Sequence, residues 1–169
     1  MSERRTLGSL SAVDGRGAVR MEDRFDADID DVWSALTQPP RLARWLGEVA
    51  GDLEVGGTYT FHFTASGAEG TGRVEECEPP RRFLLRHGVE RQDAQTIEAT
   101  LHEDGDQTVV VIEERGMPLG LLAGYGAGIQ IHIEDLGAHL AGREPDGDSN
   151  ARWDDLEPLY RPLAEEVGT

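Results

Sequence analysis

Lysine is absent from this chain, cysteine occurs once, and aromatic residues make up only 6% of it. All 16 basic residues are therefore arginine, and against 33 acidic residues they leave a formal net charge of −17. Phosphate backbones and anionic bilayers repel such a surface unless arginine is strongly clustered, so nucleic acid and membranes are not expected partners. The lone Cys77 forms no internal disulfide, which fits a reducing compartment, and its expected role is that of a small buried hydrophobe. No apolar run approaches the ~20 residues that cross a bilayer, and the opening MSERRTLGSLSAVDGRG lacks the apolar middle of a secretion signal. A cytoplasmic location is expected. Also missing are a glycine-rich phosphate loop, a Cys-x-x-Cys pair, a serine-centred elbow and a two-histidine helix motif. Their absence argues against nucleotide enzymes, zinc fingers and hydrolases.

The 169 residues, 38% of them hydrophobic, suffice for one core, and no linker or internal repeat divides them. Residues 1–16 are expected to form a flexible N-terminus, 17–142 the domain, and 143–169 a C-terminal extension. Within the domain AVRMEDRFD alternates as a first strand. Asp28 then caps a short helix with an apolar stripe of Ile29, Val32, Trp33 and Leu36, and Pro39-Pro40 ends it. A second short helix carries Leu42, Trp45 and Leu46 and stops at Gly47.

From Asp52 to Arg115 the spacing changes to alternation broken by turn residues, giving an antiparallel meander of roughly five to seven strands. Tyr59, Phe61 and Phe63 share one face of their strand, and Phe83, Leu85 and His87 share one face of another. The segment 95–114 reads as a hairpin turning at Asp104-Gly105-Asp106. The last large element, from Pro118 to Leu140, repeats apolar residues at spacings of three and four. Glycines 120, 124, 126 and 128 make its first half a poor helix, so either the helix starts later or those positions need room. The tail offers Trp153, Leu156, Leu159, Tyr160 and Leu163 at helical spacing and is expected to dock on the body. One helix lying across a curved antiparallel sheet leaves a space between them, and such spaces hold ligands.

VWSALTQPPRLARWLG, VGGTYTFHF, GRVEECEPPRRFLL, TIEATLHEDGDQTVVVIEE and GYGAGIQIHIEDLGAHL occur in that order over roughly residues 18–142. Together they resemble the bacterial family of homologues of the activator of heat-shock protein 90 ATPase, within the START-like, or SRPBCC, superfamily. The resemblance implies an α+β helix-grip fold, with a curved antiparallel sheet wrapped around a long C-terminal helix and two short helices after the first strand. Two departures stand out. Members commonly carry Trp after the glycine of the final helix, where Gly128 is here followed by Ile129, and they often show Trp at the place of His87 and His at the place of Glu114. These exchanges imply a pocket more polar than is usual for the family.

The set expected to surround a cavity is Trp33, Trp45, Tyr59, Phe61, Phe63, Leu85, His87, Ile97, Val110, Ile112, Glu114, Tyr125, Ile129 and Ile133. The competing reading is that these side chains interdigitate and fill it. Glu114 alternates with Val110 and Ile112 and is the best polar ligand contact, set against a strand-end glutamate that reaches solvent. No residue is assigned a catalytic role; His87 sharing a proton with Glu114 is the candidate if the chain is an enzyme. His132, Asp135 and His139 fall on one helical side, where a solvated polar face outweighs a metal site. Arg73, Arg81, Arg82, Arg86 and Arg91 are expected to be solvated or paired with glutamates.

The expected function is binding of a small, largely hydrophobic or amphipathic molecule between sheet and helix, with ligand exchange through loops near residues 64–70 and 115–124. No cofactor or metal is implied. Two alternatives come with the resemblance: a cyclase or aromatase-type enzyme or interceptor of a reactive natural product, and a chaperone-interacting module. A homodimer stays open.

Overall fold

The computed structural model describes residues 6–88, 94–145 and 147–167. Its strands are β1 (Gly8–Val13), β2 (Arg16–Phe25), β3 (Gly47–Gly51), β4 (Thr58–Phe63), β5 (Glu69–Glu78), β6 (Arg82–His87), β7 (Gln95–Asp104) and β8 (Gln107–Met117). They form one antiparallel sheet in the order β1-β2-β8-β7-β6-β5-β4-β3. Irregular register at Gly17/Ala18 and at Val74/Glu76 marks bulges, and a bulge bends its strand and adds twist. The sheet is accordingly curved, and with the long helix α3 (Leu122–Leu140) it makes a helix-grip α+β fold.

Local chemistry sets the corner between β2 and β3. Helix α1 (Ile29–Thr37) begins where the Asp28 carboxylate accepts the Asp31 amide at 2.8 Å, with Asp30 and Asp31 in its first turn beside the positive end of the dipole. Helix α2 (Pro39–Trp45) starts with proline, whose missing amide costs nothing there. The Trp45 indole donates to the Ala35 carbonyl at 2.9 Å and ties the two helices together.

The packed core lies at one end of the sheet. Met21 and Phe25 of β2, Val110 of β8 and Leu101 of β7 join Val32 of α1 and Leu136 of α3 in the buried core there. The opposite side of α3 is covered by α4 (Ser149–Val167), whose Leu156 and Tyr160 are fully buried. Tyr160 donates to Gln130 Oε1 at 2.5 Å, and Arg152 reaches Asp135 at 2.7 Å and Glu134 at 3.0 Å.

Several expectations need correction. The segment from Asp52 to Arg115 holds five strands, β4 to β8, as the pattern indicated, but the sheet has eight, because β1 and β3 join it as well as β2. Gly8–Val13, expected to be flexible, is a sheet edge: it pairs with β2, and the amides of Leu7 and Gly8 are held by Gln130 and Tyr160 at 3.0 Å each. Gly47 does not simply stop a helix but opens β3, where a Cβ would stand 2.1 Å from the His62 carbonyl oxygen. The final helix starts at Leu122 after a 3-10 turn at Leu119–Leu121. Two of its glycines make room for α4 rather than for the interior: a Cβ on Gly126 would lie 2.7 Å from the Tyr160 ring, and one on Gly124 would lie 3.3 Å from Trp153. Arg73 pairs with Glu75, Arg82 with Glu98 and Glu76, and Arg81 with Glu103; Arg91 lies outside the described residues. No helix among the described residues is long and apolar enough to cross a membrane.

If α4 depends on this close approach, Gly126→Val should cost about 1–3 kcal/mol through overpacking against Tyr160. Thermal unfolding should show a clear fall in Tm. An unchanged Tm would contradict the docking of α4 on Gly126.

Candidate ligand cavity

Beyond the packed end, the sheet curls away from α3 and the interior is not filled. A space of about 460 Å³ lies between β4–β8 below, Ile129, His132 and Ile133 of α3 above, and the α1–α2 corner at one side. Its floor is set by two glycines. Tyr59 pairs across the strands with Gly72 and Phe61 with Gly70. A Cβ on Gly72 would lie 2.4 Å from the Tyr59 ring, and one on Gly70 would lie 3.2 Å from the Phe61 ring. Both rings therefore lie against bare backbone. Phe61 in turn stacks on Phe63 at 4.7 Å and on His87 at 4.3 Å.

A second space of about 700 Å³ adjoins the first and reaches Ser66, Ala68 and Gly70 on one side and Leu121, Gly124, Gly128 and Trp153 on the other. Phe61, Phe63, His87, Ile97, Glu114, Ile129 and His132 line both. Of these rim residues, Ser66, Ala68 and Gly70 fall in the segment 64–70, and Leu121 and Gly124 in the segment 115–124; Gly128 and Trp153 lie outside both.

Of the predicted set, Trp33, Trp45, Tyr59, Phe61, Phe63, Leu85, His87, Ile97, Ile112, Glu114, Ile129 and Ile133 face the first space, and Tyr125 faces the second. Val110 does not. It has the predicted face but sits two residues further along β8, where α1 and α3 close over it, and it is 1% exposed within the packed core. Sequence reasoning missed Leu36, Gln38, Pro39, Leu42 and Leu46 of the corner, Leu53 after β3, Cys77 and Phe83. It also missed His132. The supposed polar face of His132, Asp135 and His139 is split three ways: His132 meets the Phe63 ring edge-on at 5.2 Å, Asp135 holds Arg152, and His139 contacts Arg41 at 3.2 Å. Among the described residues no group of three His, Cys, Asp or Glu side chains could hold a metal.

The polar groups of the lining are few and shifted by burial. His87 Nε2 and Tyr59 Oη share a hydrogen bond of 2.8 Å. Desolvation lowers the His87 pKa from 6.5 to about 4 and raises that of the Tyr59 phenol, so both are neutral near pH 7. His132 is likewise lowered to about 4, first by burial and then by the Arg152 charge. Glu114 has Val19 and Ile97 as its cross-strand neighbours and, among the described residues, no hydrogen-bond partner; burial raises its pKa from 4.5 to about 7. His87 pairs with Gln95 on β7, and Ile97 of that strand stands opposite Glu114. The candidate acid–base pair of His87 and Glu114 is therefore not a bonded pair: an intervening strand separates them, and Tyr59 engages Nε2 of the histidine.

Residues 26–141 match the family described as Activator of Hsp90 ATPase homolog 1-like protein, and the chain belongs to that family. Among solved structures it is similar to CalU16 from Micromonospora echinospora, at 26% identity and a TM-score of 0.74 over 94% of this chain and 96% of that one. It is also similar to DynU16, a protein from the dynemicin biosynthetic locus, at 24% identity and a TM-score of 0.69 over 78% of this chain and 50% of that one. An HSP90 activator from Plasmodium falciparum shares the fold at 17% identity, with a TM-score of 0.52 over 60% of this chain and 74% of that one. No curated protein sequence matches the chain.

The raised pKa of Glu114 has a definite sign. The folded state holds this proton more tightly than the unfolded one, so stability is intact below pH 4.5 and is lost as pH rises through about 7, by at most about 3 kcal/mol. Glu114→Gln removes the titration at nearly constant shape. Its Tm should exceed that of the parent at pH 8, and the gain should shrink at pH 5. An equal gain at both pH values would contradict a desolvated carboxyl.

Proposed function

We propose that this protein binds a small, largely apolar organic molecule in the space between its sheet and α3. The observation that carries the reading is an unfilled interior of about 460 Å³, walled by aromatic and aliphatic side chains and interrupted by only a few polar groups. Drug-sized ligands occupy clefts of about 300–1,000 Å³ with this kind of lining. Burial of ligand area against Trp33, Phe61, Phe63, Leu85, Ile97 and Ile129 supplies the affinity, at roughly 25 cal/mol per Å² before the costs of association are subtracted. Glu114, the Tyr59–His87 pair and His132 orient the ligand. Exchange runs past the rim formed by Ser66, Ala68, Leu121 and Gly124.

Membership in the family is compatible with this reading and leaves the ligand undefined. An enzyme acting through a His87–Glu114 dyad is disfavoured by the strand between the two residues, and no surface feature favours the chaperone reading.

A solvatochromic apolar dye, N-phenyl-1-naphthylamine, tests the proposal. The parent should enhance and blue-shift its emission. Ile129→Trp, which places an indole where the two spaces meet, should lower the affinity at least about tenfold with circular dichroism unchanged. If that variant unfolds, Leu85→Trp makes the same test from the floor. Equal enhancement by folded filled variants, or none by the parent, would overturn the proposal.

A further inference from the structure

The lining is unequal in charge. Lysine is absent from the whole chain, and among the described residues no arginine borders either space. The histidines supply no cation near pH 7, since burial lowers the pKa of both: His87 shares its Nε2 with the Tyr59 hydroxyl, and His132 lies against the Phe63 ring. A ligand carboxylate or sulfonate inside would thus face no positive group, and a charge buried without a partner is costly. Two acids border the spaces: Glu69, exposed at the rim of the second, and Glu114, which lies where the two join. Around it stand Val19, Ile97 and Ile112 from the sheet and Ile129 and His132 from α3, and none offers its carboxyl a hydrogen bond among the described residues. Across the sheet from it, on β4 and β6, the Phe61 and His87 rings stack on each other.

Resting on the ligand-binding reading above, we propose that this cavity selects an amine: a ring-bearing apolar molecule whose ammonium group pairs with the Glu114 carboxylate. The aromatic and aliphatic lining takes the ring system by burial of its area. The ammonium fills the unmet acceptors with a charge-assisted hydrogen bond, which is stronger and shorter than a neutral one. Binding draws the carboxyl into its ionised form, because a cation at contact distance favours the charged state. The protein's net charge of −17 raises the local concentration of cations at the mouth but discriminates only weakly once salt screens it. Discrimination inside the cavity therefore belongs to Glu114.

Three probes with one fluorophore separate these effects: N-dansylethylenediamine, which carries an ammonium, dansylamide, which is neutral, and dansylglycine, which carries a carboxylate. Affinities are measured at pH 8 in 0.5 M NaCl with the full chain and with Glu114→Gln. The full chain should bind the ammonium probe at least about tenfold tighter than the carboxylate probe. In Glu114→Gln that ratio should collapse to within about twofold, with circular dichroism retained. A ratio near one in the full chain, or a ratio that survives Glu114→Gln, overturns the selectivity while dansylamide binding leaves the cavity reading intact. Failure of all three probes to bind overturns both. If Glu114→Gln fails to fold, Glu114→Met serves as the neutral variant and must show the same collapse.

Discussion

A ring resting on a glycine is the contact on which the interior depends. Tyr59 and Phe61 point toward α3 from the floor of the sheet, and on an ordinary strand they would stand upright into the space. Gly72 and Gly70 on the neighbouring strand let them lie over: a Cβ at 72 would fall 2.4 Å from the Tyr59 ring. Protein interiors otherwise close to the packing density of organic crystals. The other end of the same sheet does so, with Val110, Leu101 and Met21 fully buried beneath α1 and α3. Filled and unfilled halves thus share one sheet, and the difference lies in strand curvature and in which residues carry a Cβ.

The roof is held from outside. α3 cannot settle onto the floor while its far side is fixed to α4 by the Tyr160–Gln130 hydrogen bond and by Arg152 bridging Asp135 and Glu134. Breaking one partner of a buried pair leaves the other unpaired at a cost of several kcal/mol, so this face resists sliding. The same α4 sends Ser149 to the Ala65 carbonyl at 3.1 Å and Trp153 to the Gly124 carbonyl at 3.3 Å, joining both rims of the second space to one helix. Roof position and mouth shape are therefore set together.

The sequence made the faces legible and the positions along them less so. Period-two spacing assigned Tyr59, Phe61 and Phe63, Leu85 and His87, and Ile112 and Glu114 to the inner face, because alternation alone decides which way a strand residue points. It could not say that Val110, on that same face, falls under the packed end, since this depends on where α1 crosses the sheet. His87 and Glu114 looked like neighbours until strand order put β7 between them. His132 was misjudged because α3 is buried on two sides, so a polar residue on it need not face water. β1 escaped notice because GSLSAV is a largely exposed edge with little alternation, held by side chains from distant helices. Leu36, Leu42 and Leu46 of the corner were seen as core, and only tertiary placement turns them toward the cavity.

The account stands on the space beneath α3 being empty of the protein's own atoms and open to an apolar guest. A crystal structure of the protein under xenon pressure tests this most directly, since xenon enters apolar cavities without needing a polar partner. The account predicts xenon density between Phe61, Ile97 and Ile129 with the surrounding side chains unmoved. Those side chains closed on one another, with no xenon among them, would contradict it.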